Sequence, residues 1–520
     1  MAKKRLTYTS LLNEPAVHTR YQKALDTALR ELGEHHPLFI GGRRIAARKD
    51  FETRSPIDHD IVIGTFQKGG KMEVKAAIAE AQESFSSWKR TDWAERVKIT
   101  RAVANRLERE RYLLAALMTY ETGKNRFEAL AEVCEAAEML RYNCAVYESR
   151  DGFVVPMSDV TGERSVSTMQ PYGAWAVISP FNFPLVLAAG MLSAALLTGN
   201  TAIFKPTSKA PLTGLKLQEA FMRAGVPEGV LNTITAPGDP FGAAVVAQPD
   251  ISGIAFTGSR DAGTWLQHNF CLQQPYPKPF VAEMGSKNPV IVTASADLDK
   301  AVEGIVKGAF GYSGQKCSAT SRVYVDSRVA RGFTAKLREE TDKVITGDPR
   351  KSDVFMGPLI DQVALTTFTD AVQEGLRDGG TLIAGGAVLH DGIYDQGCYV
   401  RPTIMTGLPR EHRLFKEELF VPFLLVEPVT SFKDGLREAN QTEYGLTAGV
   451  FSEDEKEIEH FFNSMQFGVC YANRRGGATT GAWPGVQSFG GWKASGFTGV
   501  GVGGPYYLLS YVREQTQTRA

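Results

Sequence analysis

The chain has 520 residues, of which 43% are hydrophobic and 22% charged, an ordinary globular composition with room for about three domain-sized units. Its 58 Lys and Arg balance 58 Asp and Glu, so the formal net charge is zero and a strongly basic nucleic-acid binder is excluded as the main theme. The longest apolar run, LVLAAGMLSAALL at residues 185–197, is well short of the ~20 residues that span a bilayer and reads as a buried helix. The start, MAKKRLTYTSLLNEP, has basic residues with no apolar stretch behind them, so it does not read as a secretory signal and a cytoplasmic protein is expected.

Residues 71–150 read as amphipathic helices. Val103, Leu107, Leu114 and Leu117 follow one another at +4, +7 and +3, one face of a 3.6-residue period. Residues 151–170 lose that period and read as extended strands around a turn. From Tyr172 onward strand and helix alternate: GAWAVISP, the 185–197 helix, TAIFK ending at Lys205, a helix over about 212–224, LNTITA, a helix after Pro240, ISGIAFTG, a further helix and PFVAEM. One helix between successive strands implies βαβ crossovers and a parallel sheet buried on both faces. Ligands of such sheets sit beyond the carboxyl ends of the strands. Those ends carry Pro180–Asn182, Lys205–Ser208, Gly238, Thr257–Ser259 and Glu283–Gly285. A second α/β segment runs from about residue 288 to 490. The tail from Pro505 alternates enough to be a strand, and with no sheet neighbour in sequence it has to pair elsewhere, a sister subunit included.

The six cysteines, Cys134, Cys144, Cys271, Cys317, Cys398 and Cys470, form no CxxC and no cluster with histidines, so neither a disulfide framework nor a metal site is expected. The glycines Gly499, Gly501 and Gly504 satisfy GxGxxG in form only. Pro505 follows directly and 16 residues remain, too few for the helix and second strand that a phosphate-binding unit needs.

Cys317, in FGYSGQKCSATSR, is the cysteine with chemistry around it. A nucleophilic thiol needs partial exposure, positive potential and backbone donors for the oxyanion it creates. Alone it would read as a small buried hydrophobe. Glu283, 34 residues upstream in VAEMGSKNP, would alone read as a solvated carboxylate. Asn182, in SPFNFPL, would alone read as a helix cap.

The three together, with IFKPTS at 203–208, GDPFG at 238–242, FTGS at 256–259, EMGSK, GQKCSA, KEELF at 416–420 and FGGWKASG from Phe489, reverse those readings. Over nearly its whole length the chain resembles the aldehyde dehydrogenase superfamily. It is most similar to the dehydrogenases of L-glutamate γ-semialdehyde, or Δ1-pyrroline-5-carboxylate, through NEP at 13–15, HPLFIGG at 36–42, GKNRFEALAEVCEA at 123–136 and TGAWPGVQSFGG at 480–491.

The resemblance implies an α/β fold of two parallel-sheet domains and a small β oligomerisation ribbon. Residues 1–150 and 171–283 would bind NAD or NADP, 284–490 would be catalytic, and 151–170 with 491–520 would form the ribbon of a homodimer or larger homo-oligomer. Cys317 would attack the aldehyde, Asn182 would hold the oxyanion and Glu283 would activate water. The cofactor would lie against Ser179, Pro180, Phe181, Lys205 and Ser208. Gly238, Gly242, Phe256, Thr257, Gly258 and Ser259 would continue that surface, with Met284, Gly285, Glu418 and Phe420 closing it. Ser318, Gly481, Ala482 and Phe489 would bind the small aldehyde, the backbone around Gly481 capturing its carboxylate as an anion nest. Ser286 and Val421 replace glycines usual in the family. Ser208 replaces an acidic residue common in NAD-preferring members, which leaves NADP use open. Other readings are a dehydrogenase of another semialdehyde, such as succinic semialdehyde, and a non-catalytic oligomer of the same fold. A CoA-acylating enzyme would not need Glu283. Neither nucleic acid nor membrane is expected as a partner.

Overall fold

Runs such as AWAVI and TAIFK have no polar alternation, and each forms a strand buried at every position. A computed structural model describes residues 15–158, 160, 162–478 and 484–520. In its first sheet the strands lie in the order Phe280–Glu283, Ile251–Thr257, Ala174–Ile178, Thr201–Lys205, Leu231–Thr233, Leu38–Ile40 and Arg43–Ile45. The first five are parallel and the last two antiparallel. Alternate residues serve two cores: Ala174, Ala176 and Ile178 pack on one face, Trp175 and Val177 on the other.

Register then fixes the site. Ile178 lies opposite Lys205 and Phe256, and Thr257 lies opposite Glu283. Four strands therefore end in one row, from which Ser179, Pro206, Gly258 and Met284 all leave the sheet on the same side. From Glu283 the chain crosses residues 284–287 and enters Asn288–Val292 of a second sheet. That sheet runs Thr381–Ala384, Thr403–Thr406, Phe423–Val429, Thr320–Asp326, Asn288–Val292, Thr447–Phe451 and Val469–Ala472, parallel except for its first strand. Cys317 stands just before the Thr320–Asp326 strand.

The tail strand, Val512–Arg519, finds its partner in its own chain, in the segment expected to join it in the ribbon. It pairs antiparallel with Arg164–Pro171, from Val512 against Pro171 to Arg519 against Arg164, and Val154–Pro156 pairs on the far side. Some 340 residues lie between the two strands, so local pattern could not pair them and only the family resemblance did. Two expectations need correction: Val103, Leu107, Leu114 and Leu117 are all buried, but on two helices, Trp93–Arg109 and Arg111–Thr122, which break at Glu110 (φ −95°, ψ 9°). The period survives the break because each helix buries its own stripe. The helix expected after Pro240 begins two residues earlier, at Gly238.

The glycine-rich loop packs on protein. Phe489 and Val502 exchange both backbone hydrogen bonds, at 3.0 and 2.8 Å, and a Cβ on Gly501 would lie 2.7 Å from the Phe489 nitrogen. Among the described residues no helix is long and apolar enough to cross a membrane.

Candidate active site

The nucleophile loop follows the Leu298–Phe310 helix through a tight turn in which Tyr312 and Ser313 take left-handed φ values of 50° and 56°. Such a backbone costs of order 1–3 kcal/mol per residue and persists only where its surroundings over-determine it. Here they do. The Tyr312 hydroxyl donates to the Thr122 carbonyl at 2.9 Å, the Ser313 hydroxyl to the Gly357 carbonyl at 2.7 Å, and Gln315 Oε1 accepts the Ile360 N–H at 2.8 Å. Beyond the turn, Asn288 Nδ2 donates to the carbonyls of Cys317 and Ala319, each at 2.8 Å.

Cys317 is half-buried and opens onto a cleft of about 380 Å³. Asn182 lies in the same wall, 4% exposed, and its side-chain amide makes no hydrogen bond to any described residue. Burial pushes the Cys317 thiol up to about 12, and the carboxylates of Glu418 and Glu283 add to the effect. The resting thiol is therefore protonated. Lys316, its neighbour in sequence, does not offset this, because its ammonium is buried against Glu128 Oε1 at 2.6 Å.

Glu283 ends its strand at 7% exposure and does not line the cleft, whereas Met284 and Gly285, which follow it, do. Its Oε2 accepts the Gly491 N–H at 2.9 Å, its Oε1 has no partner among the described residues, and burial holds the carboxyl well above the usual range. Glu418 Oε1 accepts the Ser286 N–H at 2.8 Å, and burial raises this carboxyl to about 7. A Cβ on Gly285 would run into the Glu418 carboxylate, so glycine there is what lets the side chain reach the cleft. Phe420, at φ 59°, sets its ring edge-on to Phe181 with centroids 5.9 Å apart.

Of the other residues expected at a cofactor, Ser179, Pro180, Phe256, Thr257, Gly258 and Ser259 also line this cleft. Gly238 and Gly242 line a second cavity of about 620 Å³ that shares Ile178, Phe256, Ser259 and Ala262 with the first. Ser259 caps the Arg260–Cys271 helix, so a twelve-residue helix turns its free N–H groups and positive dipole end toward both cavities. An elongated pair of cavities over parallel strand ends, with a helix N-terminus between them, fits a dinucleotide.

Lys205 and Ser208 line neither cavity. Lys205 is 4% exposed, donates to its neighbour's Pro206 carbonyl at 3.1 Å and is lowered to about 8 by burial. The Ser208 carbonyl accepts the Thr53 hydroxyl at 3.3 Å. Ser318 and Phe489, expected at the aldehyde, are 4% and 9% exposed and also line neither cavity. Thr480, Gly481 and Ala482 lie outside the described residues, as does the start of the 13–15 motif.

Sequence reasoning missed Asn288, which reads as an ordinary polar residue opening a strand, and Trp265, which lines the second cavity with its ring packed on Gly242. It also missed Ser495, fully buried, whose hydroxyl donates to the Gly285 carbonyl at 2.8 Å and accepts the Gly445 N–H at 3.0 Å. Ser286 and Val421 are absorbed locally: the Ser286 hydroxyl accepts the Leu446 N–H at 3.2 Å, and Val421 is buried with its carbonyl against Gly314.

The sequence model of the aldehyde dehydrogenase family matches residues 44–517. The chain belongs to the aldehyde dehydrogenase family. This aldehyde dehydrogenase is 35% identical over 500 residues to a 1-pyrroline-5-carboxylate dehydrogenase of Bacillus pumilus, covering 95% of each chain. Its fold matches the NAD-bound crystal structure of a 1-pyrroline-5-carboxylate dehydrogenase from Thermus with a TM-score of 0.93 at 32% identity, over 98% of this chain and 97% of that one. It also matches proline utilization A from Bdellovibrio bacteriovorus, TM-score 0.92 and 32% identity, where 96% of the dehydrogenase spans about half, 51%, of the longer chain.

Proposed function

We propose that this enzyme oxidises L-glutamate γ-semialdehyde, the open form of Δ1-pyrroline-5-carboxylate, to L-glutamate with NAD or NADP as oxidant. The observation that carries the reading is that Cys317, Asn182 and Glu418 share one cleft at the joined strand ends of a dinucleotide-type sheet. The relatives named for this substrate, similar over nearly the whole chain, support its identity.

In the reaction the Cys317 thiol loses its proton and the sulfur attacks the aldehyde carbon. A C–S bond forms and the carbonyl π pair moves to oxygen. The Asn182 side-chain amide and the Cys317 backbone N–H donate to that oxyanion, and losing one such donor typically costs ~10²–10³ in rate. A bound nicotinamide would supply the acceptor for the hydride that leaves the carbon as the oxygen's electron pair re-forms the carbonyl, which leaves Cys317 as a thioester. Glu283 then takes a proton from water, the water oxygen adds to the thioester carbon, and the thiolate leaves as the acid is released. Glu418 would hold the nicotinamide ribose with Phe420 packed beside it, Ser259 and its helix the pyrophosphate, and Lys205 the adenosine ribose. Gly238, Gly242 and Trp265 would flank the adenine. Ser318, Phe489 and the backbone at Gly481 and Ala482 would enclose the substrate.

Domain roles follow the same division: residues 1–150 and 171–283 for the cofactor, 284–490 for catalysis, and 151–170 with 491–520 as an oligomerisation ribbon. The ribbon leaves Val154, Val155, Met157 and Val160 45–68% exposed, an apolar strip that a second copy would cover. A reduced nucleophilic thiol suits the cytoplasm.

The test is intact-protein mass spectrometry on Glu283→Gln given the pyrroline and NAD. A γ-glutamyl adduct that maps to Cys317 and is missing from Cys317→Ala supports the route. A variant that turns over with no adduct contradicts it.

A further inference from the structure

Lys124 is sealed from solvent, with a side chain 0% exposed. Its Nζ lies 3.8 Å from the centroid of the Phe183 ring and 4.9 Å from that of Tyr312. Phe183 directly follows Asn182, and Tyr312 stands in the left-handed turn that leads to Cys317. The same ammonium is paired with Glu132, which is equally buried. The other oxygen of Glu132 accepts the N–H groups of Leu185 and Val186 at 2.8 and 3.2 Å, and these open the helix that follows the Asn182 turn.

Stability does not account for this arrangement. Desolvating an ammonium and a carboxylate usually costs as much as their attraction returns, and apolar replacements of such pairs are often neutral or stabilising. What the pair does achieve is geometric. A cation is attracted to the faces of both rings, and one ion thereby holds the amide-bearing turn and the thiol-bearing loop to a single reference point. Its position on the Arg111–Thr122 to Arg126–Glu148 connection is set independently, because Asn125 caps the second helix by accepting from Phe127 and Glu128 and anchors to the Phe355 carbonyl at 2.7 Å.

We propose that Lys124 is a positioning residue for the oxidation, fixing the Asn182 amide relative to Cys317 Sγ through Phe183, Glu132 and Tyr312. This rests on the reading of Asn182 as the oxyanion donor and Cys317 as the nucleophile. Misplacing a reacting group by an ångström is enough to cost about 100-fold.

Kinetics of full-length Lys124→Met, Asn182→Ala and the double variant test it. Lys124→Met is expected to lower kcat by about 10- to 100-fold, with the KM for NAD within roughly 2-fold because the ion does not line the cofactor cleft. In the Asn182→Ala background the same substitution is expected to cost less than about 3-fold, since the group it positions is gone. Costs that multiply in the double variant overturn the proposal, as does a Lys124→Met kcat within roughly 2-fold of the parent. A KM for NAD that rises as far as kcat falls signals general loss of structure and also overturns it. If Asn182→Ala turns over normally, the oxyanion reading falls and the proposal with it; an impaired Asn182→Ala beside an unaffected Lys124→Met removes the proposal alone. Lys124→Met leaves Glu132 as an unpaired buried charge, so Lys124→Met/Glu132→Gln replaces it if it does not fold. That pair carries no charge, and the Gln carbonyl can still accept from Leu185 and Val186. It is expected to show the same loss, and a parent-like kcat overturns the proposal.

Discussion

Glu283 gives one carboxylate oxygen to the Gly491 N–H at 2.9 Å and leaves the other buried with no partner among the described residues. A carboxyl so placed favours its neutral form, and the base form becomes populated only as pH rises above the ordinary carboxylate range. Cys317 is raised in the same way. Both groups act deprotonated, so kcat is expected to climb with pH through neutrality. Glu283→Gln is expected to give one stoichiometric burst of reduced cofactor followed by a steady rate at least about 100-fold lower. Stopped-flow absorbance checks this, and a steady rate equal to the parent removes Glu283 from the mechanism.

Asn288→Ala probes the support beneath the nucleophile. It removes two bonds to the carbonyls of Cys317 and Ala319 and the acceptor of the Thr447 N–H at 3.0 Å. The orphaned buried groups are expected to cost about 1–3 kcal/mol of stability. Freeing the Cys317 carbonyl loosens the backbone next to the N–H proposed as an oxyanion donor, and is expected to lower kcat more than it raises the KM for NAD. Denaturant unfolding beside steady-state kinetics tests both, and an unchanged kcat in a destabilised variant would confine Asn288 to folding.

The parts of the fold that could be read in advance are those in which local pattern and tertiary environment agree. AWAVI is apolar throughout, and TAIFK is apolar between Thr201 and Lys205 at its ends, because both faces of their sheet are covered. The pairing of AWAVI and FVAE with Ile251–Thr257 brings the segments of Asn182 and Glu283 to one edge. The break at Glu110 was hidden because the period runs through it. The tail pairing has no local signal, because its partner lies far back in the chain, and came only from the family resemblance. Lys205 sits at a strand end where a lysine reads as exposed, yet it is buried. Lys124 and Asn288 carry no signal of their own, since each acts only through what folding places beside it.

Glu135 supplies a stability test. Burial, reinforced by Glu132, raises its carboxyl from 4.5 to about 8. A folded value above the unfolded one means that its contribution is present below pH 4.5 and is lost as pH rises through about 8. Glu135→Gln cannot ionise, so its melting temperature relative to the parent is expected to rise across that window. Thermal unfolding from pH 5 to 9 measures it, and parallel curves would show that Glu135 is already ionised in the fold.

Ser208 bears on the coenzyme. Lys209, which could have attracted a 2′-phosphate, pairs with Asp361 at 2.6 Å, and Lys205 is buried. If the adenosine ribose lies beside Ser208 as proposed, acceptance of NADP turns on the missing carboxylate there. Ser208→Glu is expected to raise the KM for NADP at least about tenfold through repulsion and to leave that for NAD within roughly 3-fold. Equal changes for both coenzymes would place the 2′-phosphate elsewhere.

The most direct measurement follows reduced-nicotinamide absorbance with purified enzyme and Δ1-pyrroline-5-carboxylate, with succinic semialdehyde as the control aldehyde and NAD and NADP in parallel. Fast reduction with the pyrroline and little with the control is the expected result. Strong reduction with succinic semialdehyde alone would keep Cys317 and Glu283 in their roles and contradict L-glutamate γ-semialdehyde as the substrate.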